Sequence, residues 1–295
     1  MEKVSILIPT YERPEGLKKA IQSCLAQVYS HFEIIVTDNS SNDKCREIID
    51  SFHDERIKYY INEENIGPIL NWRRAFEKSN GELIVLLPDD DYFLNPFFLK
   101  DAVQICAEMS VELFIPDCVV GNEKNCYMNK SSFSGMTESS LVIETLWGSS
   151  NIPTIANVFS RKITKDVIFF YDNNILYSDI ELWLKLLMKT EFVYFYNIPS
   201  VFYTIHTSNI VFNMDNEKLI QNSNFITRVF SHDRLMETKF VKKYIQFLLS
   251  IFPTLSFPVI WRLLKKHNCT WNEYISTVFL YVKKLWKKSK KRINK

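Results

Sequence analysis

The chain has 295 residues, enough for two domains or one large one, and its 46% apolar and 24% charged residues are typical of a folded globular protein. Only six glycines occur, which disfavours glycine-rich phosphate-binding loops. The net charge of +2 hides an asymmetry, because residues 236–295 carry fourteen Lys and Arg against two acids and the rest of the chain therefore sums to −10.

The six cysteines show no CxxC pair and no histidine at metal-ligand spacing. We therefore interpret them as reduced, mostly buried thiols of a cytosolic protein, with a secreted disulfide scaffold as the alternative. The opening "MEKVSILIPTYERPEG" reaches an acid and a proline too early for a signal peptide, which agrees with the cytosolic interpretation.

The first third of the chain alternates between short β-branched runs and stretches with apolar residues at helical spacing. The β-α-β-α-β-α-β order predicts an α/β fold with a mostly parallel sheet flanked by helices. The predicted strands are 4–9, 32–39, 56–62 and 82–88, and the predicted helices are 15–27, 67–79 and 41–52, the last with Ser41 and Asn42 as candidate N-caps.

The rest of the chain is less regular, and it becomes helical after about residue 215. Before that point we expect a Ser-, Thr- and Gly-rich loop over 131–151. The other predicted elements are a helix over 97–109, a strand over 111–116, a strand over 154–160, a helix over 178–190 and an aromatic β-rich segment over 191–206.

Polar side chains follow the predicted strands at the points where the strands end. "TYER" follows the first strand, Asp38 ends the second, and three consecutive carboxylates, Asp89–Asp91, follow the fourth. Parallel sheets bind ligands at the carboxyl ends of their strands, and the helix N-termini that begin there suit a phosphorylated ligand.

The triplet Asp89–Asp91 could be a solvated loop, but its place at the ligand edge favours a second interpretation. Hard divalent cations prefer carboxylate oxygens, and Mg²⁺ commonly uses one or two carboxylates together with substrate phosphates. The sequence therefore predicts Mn²⁺ or Mg²⁺ held against a diphosphate.

Several stretches, in order and at matching spacing, resemble glycosyltransferase family 2, which has the GT-A fold. They are "VSILIPTYERPEGLKKAIQSCLAQVYSHFEIIVTDNSSND", "NIGPILNWRRAFEKSNGELIVLLPDDDYFLNP", "YSDIELWLKLL" and "VFYTIHTSNI". The resemblance spans about residues 3–212. It implies a GT-A domain over 1–215, with a nucleotide-binding half (1–96) and an acceptor half (97–215), followed by a helical region over 216–295.

The resemblance also implies roles for single residues. Asp38 would accept a hydrogen bond from the uracil N–H, and Asp91 would bind the cation directly. The metal motif can be framed as Asp89/Asp91 or Asp90/Asp91. Two residues depart from the family pattern, Glu12 where Asn is frequent and Pro88 where an acid is frequent. The residues expected to contact the nucleotide are Pro9, Thr10, Tyr11, Glu12, Asp38, Asp89, Asp90 and Arg73.

On the acceptor side, Asp179 matches the second acid of the family's Glu-Asp pair, with Ser178 in place of the glutamate. An inverting transfer needs a base for the acceptor hydroxyl, which makes Asp179 the candidate catalytic residue. A helix cap is the alternative, a role that Ser178 could also fill, and Glu181 is the next candidate base.

His206 and two arginines complete the candidate site. The Tyr-x-x-His match implies that His206 contacts the metal or the diphosphate, and a purely structural histidine is the alternative. Arg73 and Arg74 could reach the pyrophosphate or form surface salt bridges.

The end of the chain carries eight basic residues over 283–295 and no acid, and apolar side chains interleave with them. The apolar stretch 247–264 is broken by Pro253 and Pro258 and is too short for a confident membrane span. We predict an in-plane amphipathic anchor on an anionic membrane, on its cytoplasmic face. A solvated tail and nucleic-acid binding are the alternatives, and the acidic body argues against nucleic acid.

Together these features predict a metal-dependent inverting hexosyl- or hexosaminyltransferase. Its donor would be a nucleotide-sugar, with a UDP-sugar expected, and its acceptor a hydroxyl of a glycan or lipid-linked glycan in bacterial surface polysaccharide synthesis. The alternative is a non-catalytic nucleotide-sugar-binding or scaffolding relative, to which Glu12, Pro88 and Ser178 point.

Overall fold

In the computed structural model, the first third of the chain forms the predicted alternation of strands and helices. The helix predicted over 41–52 starts later than expected, at Lys44, because the Asn42 side chain accepts the Lys44 N–H in a turn before the helix (3.1 Å). The elements are β1 (Val4–Thr10), α1 (Pro14–Leu25), β2 (Phe32–Asp38), α2 (Lys44–Asp50), β3 (Ile57–Ile61), α3 (Pro68–Lys78) and β4 (Leu83–Leu86).

The structure describes residues 2–122, 124–145, 156–165, 167 and 178–205, and in the C-terminal region residues 217, 220, 223–230, 233, 237, 239–245, 257–270 and 272. The chain divides into two compact units. The first comprises 1–145, 150–174 and 178–209, and the second comprises 146–149, 175–177 and 210–295.

Local sequence explains where the helices of the first third begin. Proline opens both α1 and α3, where its missing N–H costs nothing and its fixed φ suits the first turn. Gly67, just before α3, has φ 83° and ψ 163°, a conformation that only glycine adopts without strain.

Strands β1, β2, β3 and β4 form a parallel block in the order β3-β2-β1-β4. Every residue of β1 and β2 is buried, as expected for central strands covered by helices on both faces. In the register of this block Thr10 lies opposite Asp38, so the chain leaves both strands at the same edge of the sheet. The strands therefore end at one edge of the sheet, as predicted.

The second half of the first unit extends the sheet with further strands. Its elements are β5 (Tyr92–Phe93), α4 (Phe98–Met109), β6 (Leu113–Gly121), β7 (Cys126–Asn129), β8 (Gly135–Glu138), α5 (Ser139–Thr145), β9 (Val158–Ser160), a 3-10 turn (Arg161–Thr164), α6 (Ser178–Leu187) and β10 (Phe192–Thr204). The sheet order is β3-β2-β1-β4-β9-β6-β10-β5, with β7 on β6 and β8 on β10. Strand β9 is antiparallel to both neighbours, and β10 is parallel to β6 only, so the sheet is mixed beyond β4.

Three expectations for this half need correction. The predicted loop over 131–151 contains β8 and α5 in its described part. The strand predicted to end at 116 continues to Gly121 and pairs with β7, which the sequence pattern did not predict. The two-residue strand β5 was also not predicted.

The described parts of the second unit are mainly helical, as expected after residue 215. They include helices Asn224–Phe230, 239–245 and Phe257–Lys266. The ring of the buried His267 joins them, with Nδ1 3.0 Å from Glu237 Oε1 and Nε2 2.9 Å from Ser223 Oγ. Within the described residues, no helix combines the length and apolarity that crossing a bilayer requires. The predicted basic anchor over 283–295 lies outside the described residues.

Candidate active site

Residues in the last turn of α1 and just after it form hydrogen bonds with the chain that follows the carboxylate triplet. Ser23 Oγ accepts the N–H of Phe93 at 3.0 Å. The Gln27 amide donates to the carbonyl of Asn95 at 2.9 Å and accepts the N–H of Leu99 at 3.1 Å. Ser23 and Gln27 therefore fix the position of the loop after β4.

The start of α1 lies directly against the triplet. A Cβ atom on Gly16 would be 2.5 Å from the carbonyl oxygen of Asp89, closer than real side chains come. Glycine at this position allows the first turn of α1 to reach the loop, so the helix N-terminus and the carboxylates share one small region.

Asp89 is a buried anchor between β1 and the loop after β4. Its Oδ2 accepts the hydroxyl of Thr10 at 2.7 Å and the N–H of Tyr11 at 3.3 Å, and its Oδ1 accepts from Arg13 Nη1 at 3.1 Å. Burial and the charge of Asp90 raise the pKa of Asp89 to about 6, although Arg13 opposes this shift. These three donors occupy Asp89, which leaves its neighbours to meet a ligand.

Asp91 is equally buried but is not equally satisfied. Its Oδ1 accepts the N–H of Thr204 at 2.9 Å, whereas its Oδ2 has no hydrogen-bond partner. Burial, together with the charges of Asp90 and Asp89, raises the pKa of Asp91 well above its usual range. A buried polar atom without a partner carries a large desolvation cost, so Asp91 Oδ2 is under-satisfied in the protein alone.

Asp38, the predicted uracil acceptor, is fully buried at the end of β2. Its Oδ1 accepts the N–H of Ser40 and its Oδ2 accepts the hydroxyl of Tyr59, each at 2.7 Å. Burial and the hydrogen bond to Asp38 raise the pKa of Tyr59. Both carboxylate oxygens are thus engaged within the chain, and the contact with uracil stays a prediction.

The backbone of the turn after β1 explains why the family pattern has asparagine at the position of Glu12. Glu12 has φ 53°, in the left-handed region that Asn tolerates better than Glu, which gives a physical reason for the asparagine of the family pattern. Its N–H donates to Ser40 Oγ at 2.8 Å, and its carboxylate accepts from Ser41 at 3.1 Å. Next to it the Tyr11 side chain is half-exposed, while Pro9 and Thr10 are buried.

A buried amide network supports the same edge and was not predicted from the sequence. Asn62 donates to the side chains of Asn39 at 2.6 Å and Asn71 at 2.9 Å, and Asn71 donates to the carbonyl oxygens of Thr10 and Thr37. Arg74 donates to the Asn62 amide oxygen. The network ties α3 to the ends of β1 and β2.

Arg73 occupies a different environment from Arg74. It lies on the exposed face of α3 and donates to Glu77 at 2.7 Å, one helical turn away. This is the surface salt bridge that the sequence left open as the alternative, and its contact with a nucleotide remains a prediction.

The acceptor-side residues are described only in part. Asp179 lies half-buried in the first turn of α6, where its Oδ1 accepts the N–H of Ile180 at 2.8 Å. Glu181 is buried and pairs with Lys185 at 2.6 Å. His206 and the segments 168–177 and 206–216 lie outside the described residues, so the roles of Asp179 and His206 stay predictions.

The structure brings together Thr10, Tyr11, Arg13 and the triplet. Within the described residues, no group of three or more His, Cys, Asp or Glu side chains is arranged to hold a metal by itself. The oxygen ligands nevertheless fit Mg²⁺ or Mn²⁺, because Asp91 Oδ2 is unpartnered and such cations take further ligands from water and phosphates. Arg13 was missed, although its position in "TYER" beside the ligand edge was a usable signal.

Comparisons with known proteins agree with this description. A beta-1,3-glucosyltransferase of Campylobacter jejuni, named for the acceptor GalNAc(5)-diNAcBac-PP-undecaprenol, is 27% identical over 198 residues, which cover 65% of this chain and 62% of the relative. The UDP-Glc:alpha-D-GlcNAc-diphosphoundecaprenol beta-1,3-glucosyltransferase WfaP of Escherichia coli is 27% identical over 232 residues, which cover 78% of this chain and 87% of the relative. The matched region thus spans less than two thirds of the first relative's length.

Among solved structures, S. aureus TarS 1–349 in complex with UDP-GlcNAc matches with a TM-score of 0.71 at 16% identity, covering 89% of this chain and 79% of that one. This similarity confirms the predicted GT-A-type fold. The model of the family described as "Glycosyl transferase family 2" matches residues 5–168, more than half of the chain. The protein therefore belongs to glycosyl transferase family 2.

Proposed function

We propose that the protein transfers a sugar from a UDP-sugar to a hydroxyl of a lipid-linked glycan, with inversion at the anomeric carbon and with Mn²⁺ or Mg²⁺. The observation that carries the proposal is Asp91, whose buried Oδ2 has no partner at the ligand edge of a family 2 domain. The names of the two relatives support the acceptor class, since each specifies a diphosphoundecaprenol-linked glycan. The name of the second relative also supports the donor, UDP-Glc.

In this proposal the chain's own residues have separate tasks. Asp89 holds the loop to β1 through Thr10 and Tyr11. Asp91, with Asp90, would hold the cation, which supplies Lewis-acid neutralisation of the departing diphosphate when bound. Asp179 takes the proton of the acceptor hydroxyl as that oxygen attacks the anomeric carbon.

Calorimetry and a transfer assay with Asp91→Asn and Asp179→Asn test the assignment. We expect Asp91→Asn to lose most Mn²⁺-dependent UDP binding. Asp179→Asn should keep that binding but lose roughly two to four powers of ten in turnover, because a general base contacts the acceptor and not the nucleotide.

Wild-type UDP affinity that is unchanged by EDTA would rule out the cation. Near-normal turnover of Asp179→Asn on the true acceptor would move the base to another group, with Glu181 as the first candidate. A wild type that binds UDP-sugar but neither transfers nor hydrolyses it would favour the non-catalytic relative.

The segment 279–295, which contains the basic residues of 283–295 and the apolar residues just before them, is proposed to hold the enzyme on the cytoplasmic membrane surface, near a lipid-linked acceptor. Each basic residue close to an anionic surface contributes on the order of 1 kcal/mol. Deletion of 279–295 is expected to abolish co-sedimentation with anionic vesicles at moderate salt and to leave UDP binding intact. Equal co-sedimentation of the shortened chain would place the anchor elsewhere.

A further inference from the structure

Arg13 supplies both ion pairs that the triplet makes within the described residues. One nitrogen, Nη1, donates to Asp89 Oδ1 at 3.1 Å and to Asp90 Oδ2 at 2.9 Å. The arginine lies between the end of β1 and Pro14, the first residue of α1. It therefore pairs with two neighbouring carboxylates from the turn between β1 and α1.

The way Arg13 binds leaves most of its hydrogen-bonding capacity unused. Arg56 and Arg262 each use two guanidinium nitrogens on a single carboxylate. Arg13 uses one nitrogen for two carboxylates, and no other described residue accepts from its Nε or Nη2. Its side chain is 41% exposed, so the arginine is accessible to a ligand at this edge of the sheet.

The two partners of Arg13 differ in how far they are exposed to solvent. Asp89 is 4% exposed and is also bound by Thr10 and Tyr11, so it stays in place without Arg13. The Asp90 side chain is 22% exposed and lies next to the under-satisfied Asp91. A cation at Asp90 and Asp91 would be repelled by Arg13, whereas a diphosphate would attract its free donors.

We propose that Arg13 is an exchangeable counter-ion: it pairs with Asp90 in the cation-free protein, and when a divalent cation binds it releases Asp90 and turns its remaining donors to the donor diphosphate. This inference rests on the proposed function and adds to it a residue that binds the donor diphosphate. Arginine suits the role because its planar, permanently charged fork binds carboxylates and phosphates alike.

The test measures Mn²⁺ and UDP separately on the full chain, with variants Arg13→Gln and Arg13→Lys. Mn²⁺ is titrated without nucleotide, and thermal unfolding is the readout. Arg13→Gln should bind Mn²⁺ about two- to fivefold more tightly than the wild type, since the partly exposed Arg13–Asp90 ion pair no longer competes with the cation. With saturating Mn²⁺, calorimetry should give UDP affinity weakened about tenfold or more, the usual cost of a lost charged hydrogen bond.

Arg13→Lys keeps the charge but not the fork, so it should restore the wild-type Mn²⁺ affinity and only part of the UDP affinity. Arg56→Gln is the matched control, because it breaks an arginine–aspartate pair at the start of β3 and should change neither affinity. The opposite signs for Mn²⁺ and UDP separate an exchanging counter-ion from a structural support, which would weaken both.

If Arg13→Gln binds both Mn²⁺ and UDP more weakly, or if its UDP affinity is unchanged, the inference is wrong. The proposed function is not affected by that result as long as the wild type binds Mn²⁺ and UDP. A wild type that binds neither Mn²⁺ nor UDP would overturn the proposed function and this inference with it.

Discussion

Two buried carboxylates at opposite ends of one sheet have opposite surroundings. Glu33, at the amino end of β2, and Asp91, beyond the carboxyl end of β4, are each 1% exposed. Glu33 accepts four hydrogen bonds of 2.7–2.8 Å, whereas Asp91 accepts one and leaves an oxygen without a partner. The donors to Glu33 are Lys3, Ser5, Lys58 and Asn80.

The difference indicates what each end of the sheet is for. At the amino end, Glu33 finds all its hydrogen-bond donors inside the protein, as selection for stability alone would favour. At the carboxyl end, next to Asp89 and Asp90, Asp91 keeps a carboxylate oxygen without a hydrogen-bond partner, which selection for stability alone would remove. At the candidate site, therefore, the protein's own residues leave one buried oxygen of Asp91 without a hydrogen-bond partner.

Paired amide substitutions should give the largest contrast between the two ends. Glu33→Gln is expected to lower the free energy of unfolding by about 3 kcal/mol, because it breaks a buried charge network and turns an amide N–H₂ toward two lysines. Asp91→Asn should change it by less than about 1 kcal/mol, because asparagine keeps an oxygen that can accept the Thr204 N–H and replaces only the oxygen that has no partner. Urea unfolding of the cation-free protein measures both.

A loss of about 3 kcal/mol for Asp91→Asn as well would contradict the comparison. It would mean that the carboxylate stabilises the fold through Thr204, and the case for a ligand at Asp91 Oδ2 would fall.

The pH dependence of stability should also have opposite signs at the two ends. Although burial acts against it, the lysine contacts hold the pKa of Glu33 at about 2, below its ordinary value of about 4.3. The ionised form is therefore favoured by folding, so its contribution is present above pH ~4.3 and is lost as pH falls toward 2. We expect a loss of up to about 2 kcal/mol, since both lysines are partly exposed and screened.

Asp89 behaves in the reverse sense because its folded pKa of about 6 lies above the ordinary value. Its protonated form is favoured by folding, so that contribution is present below pH ~4 and is lost as pH rises through 6. Unfolding free energies from pH 2.5 to 7 should show a flatter acid limb in Glu33→Gln and a flatter limb between pH 4 and 6 in Asp89→Asn. Identical profiles for both variants and wild type would disprove the assignment.

The sequence could predict what depends on local contacts, and it could not predict what depends on contacts between distant parts of the chain. The elements from β1 to β4 were predicted because each carries its own periodicity, and the edge rule then placed Asp38 and the triplet together. Strands β5 and β7 are two and four residues long, too short for a periodic signal, and they exist because β10 and β6 pair with them.

At the site, the sequence identified the carboxylates but did not show which of them is hydrogen-bonded within the protein and which keeps an oxygen without a partner. That Asp89 is occupied by Thr10 while Asp91 is not depends on contacts across more than seventy residues of chain. The amide network of Asn62 and Asn71 was missed for the same reason, since isolated asparagines carry no pattern.

Two adjacent arginines on α3 give the smallest expected effects. Arg74 is half-buried and donates to the Asn62 amide and to the carbonyl of Ile61, whereas Arg73 is exposed and pairs only with Glu77 among the described residues. Their neighbouring positions make them matched controls for each other.

Arg74→Gln should lower the free energy of unfolding by about 1–2 kcal/mol, because Asn62 would lose a charged donor and stay buried. Arg73→Gln should lower it by less than about 0.5 kcal/mol, the usual value of an exposed pair one helical turn apart. Urea unfolding separates the two, and equal effects would mean that the network under the site does not depend on Arg74. UDP calorimetry on Arg73→Gln tests the sequence-based assignment independently, since more than a few-fold loss would show that this arginine leaves Glu77 for the nucleotide.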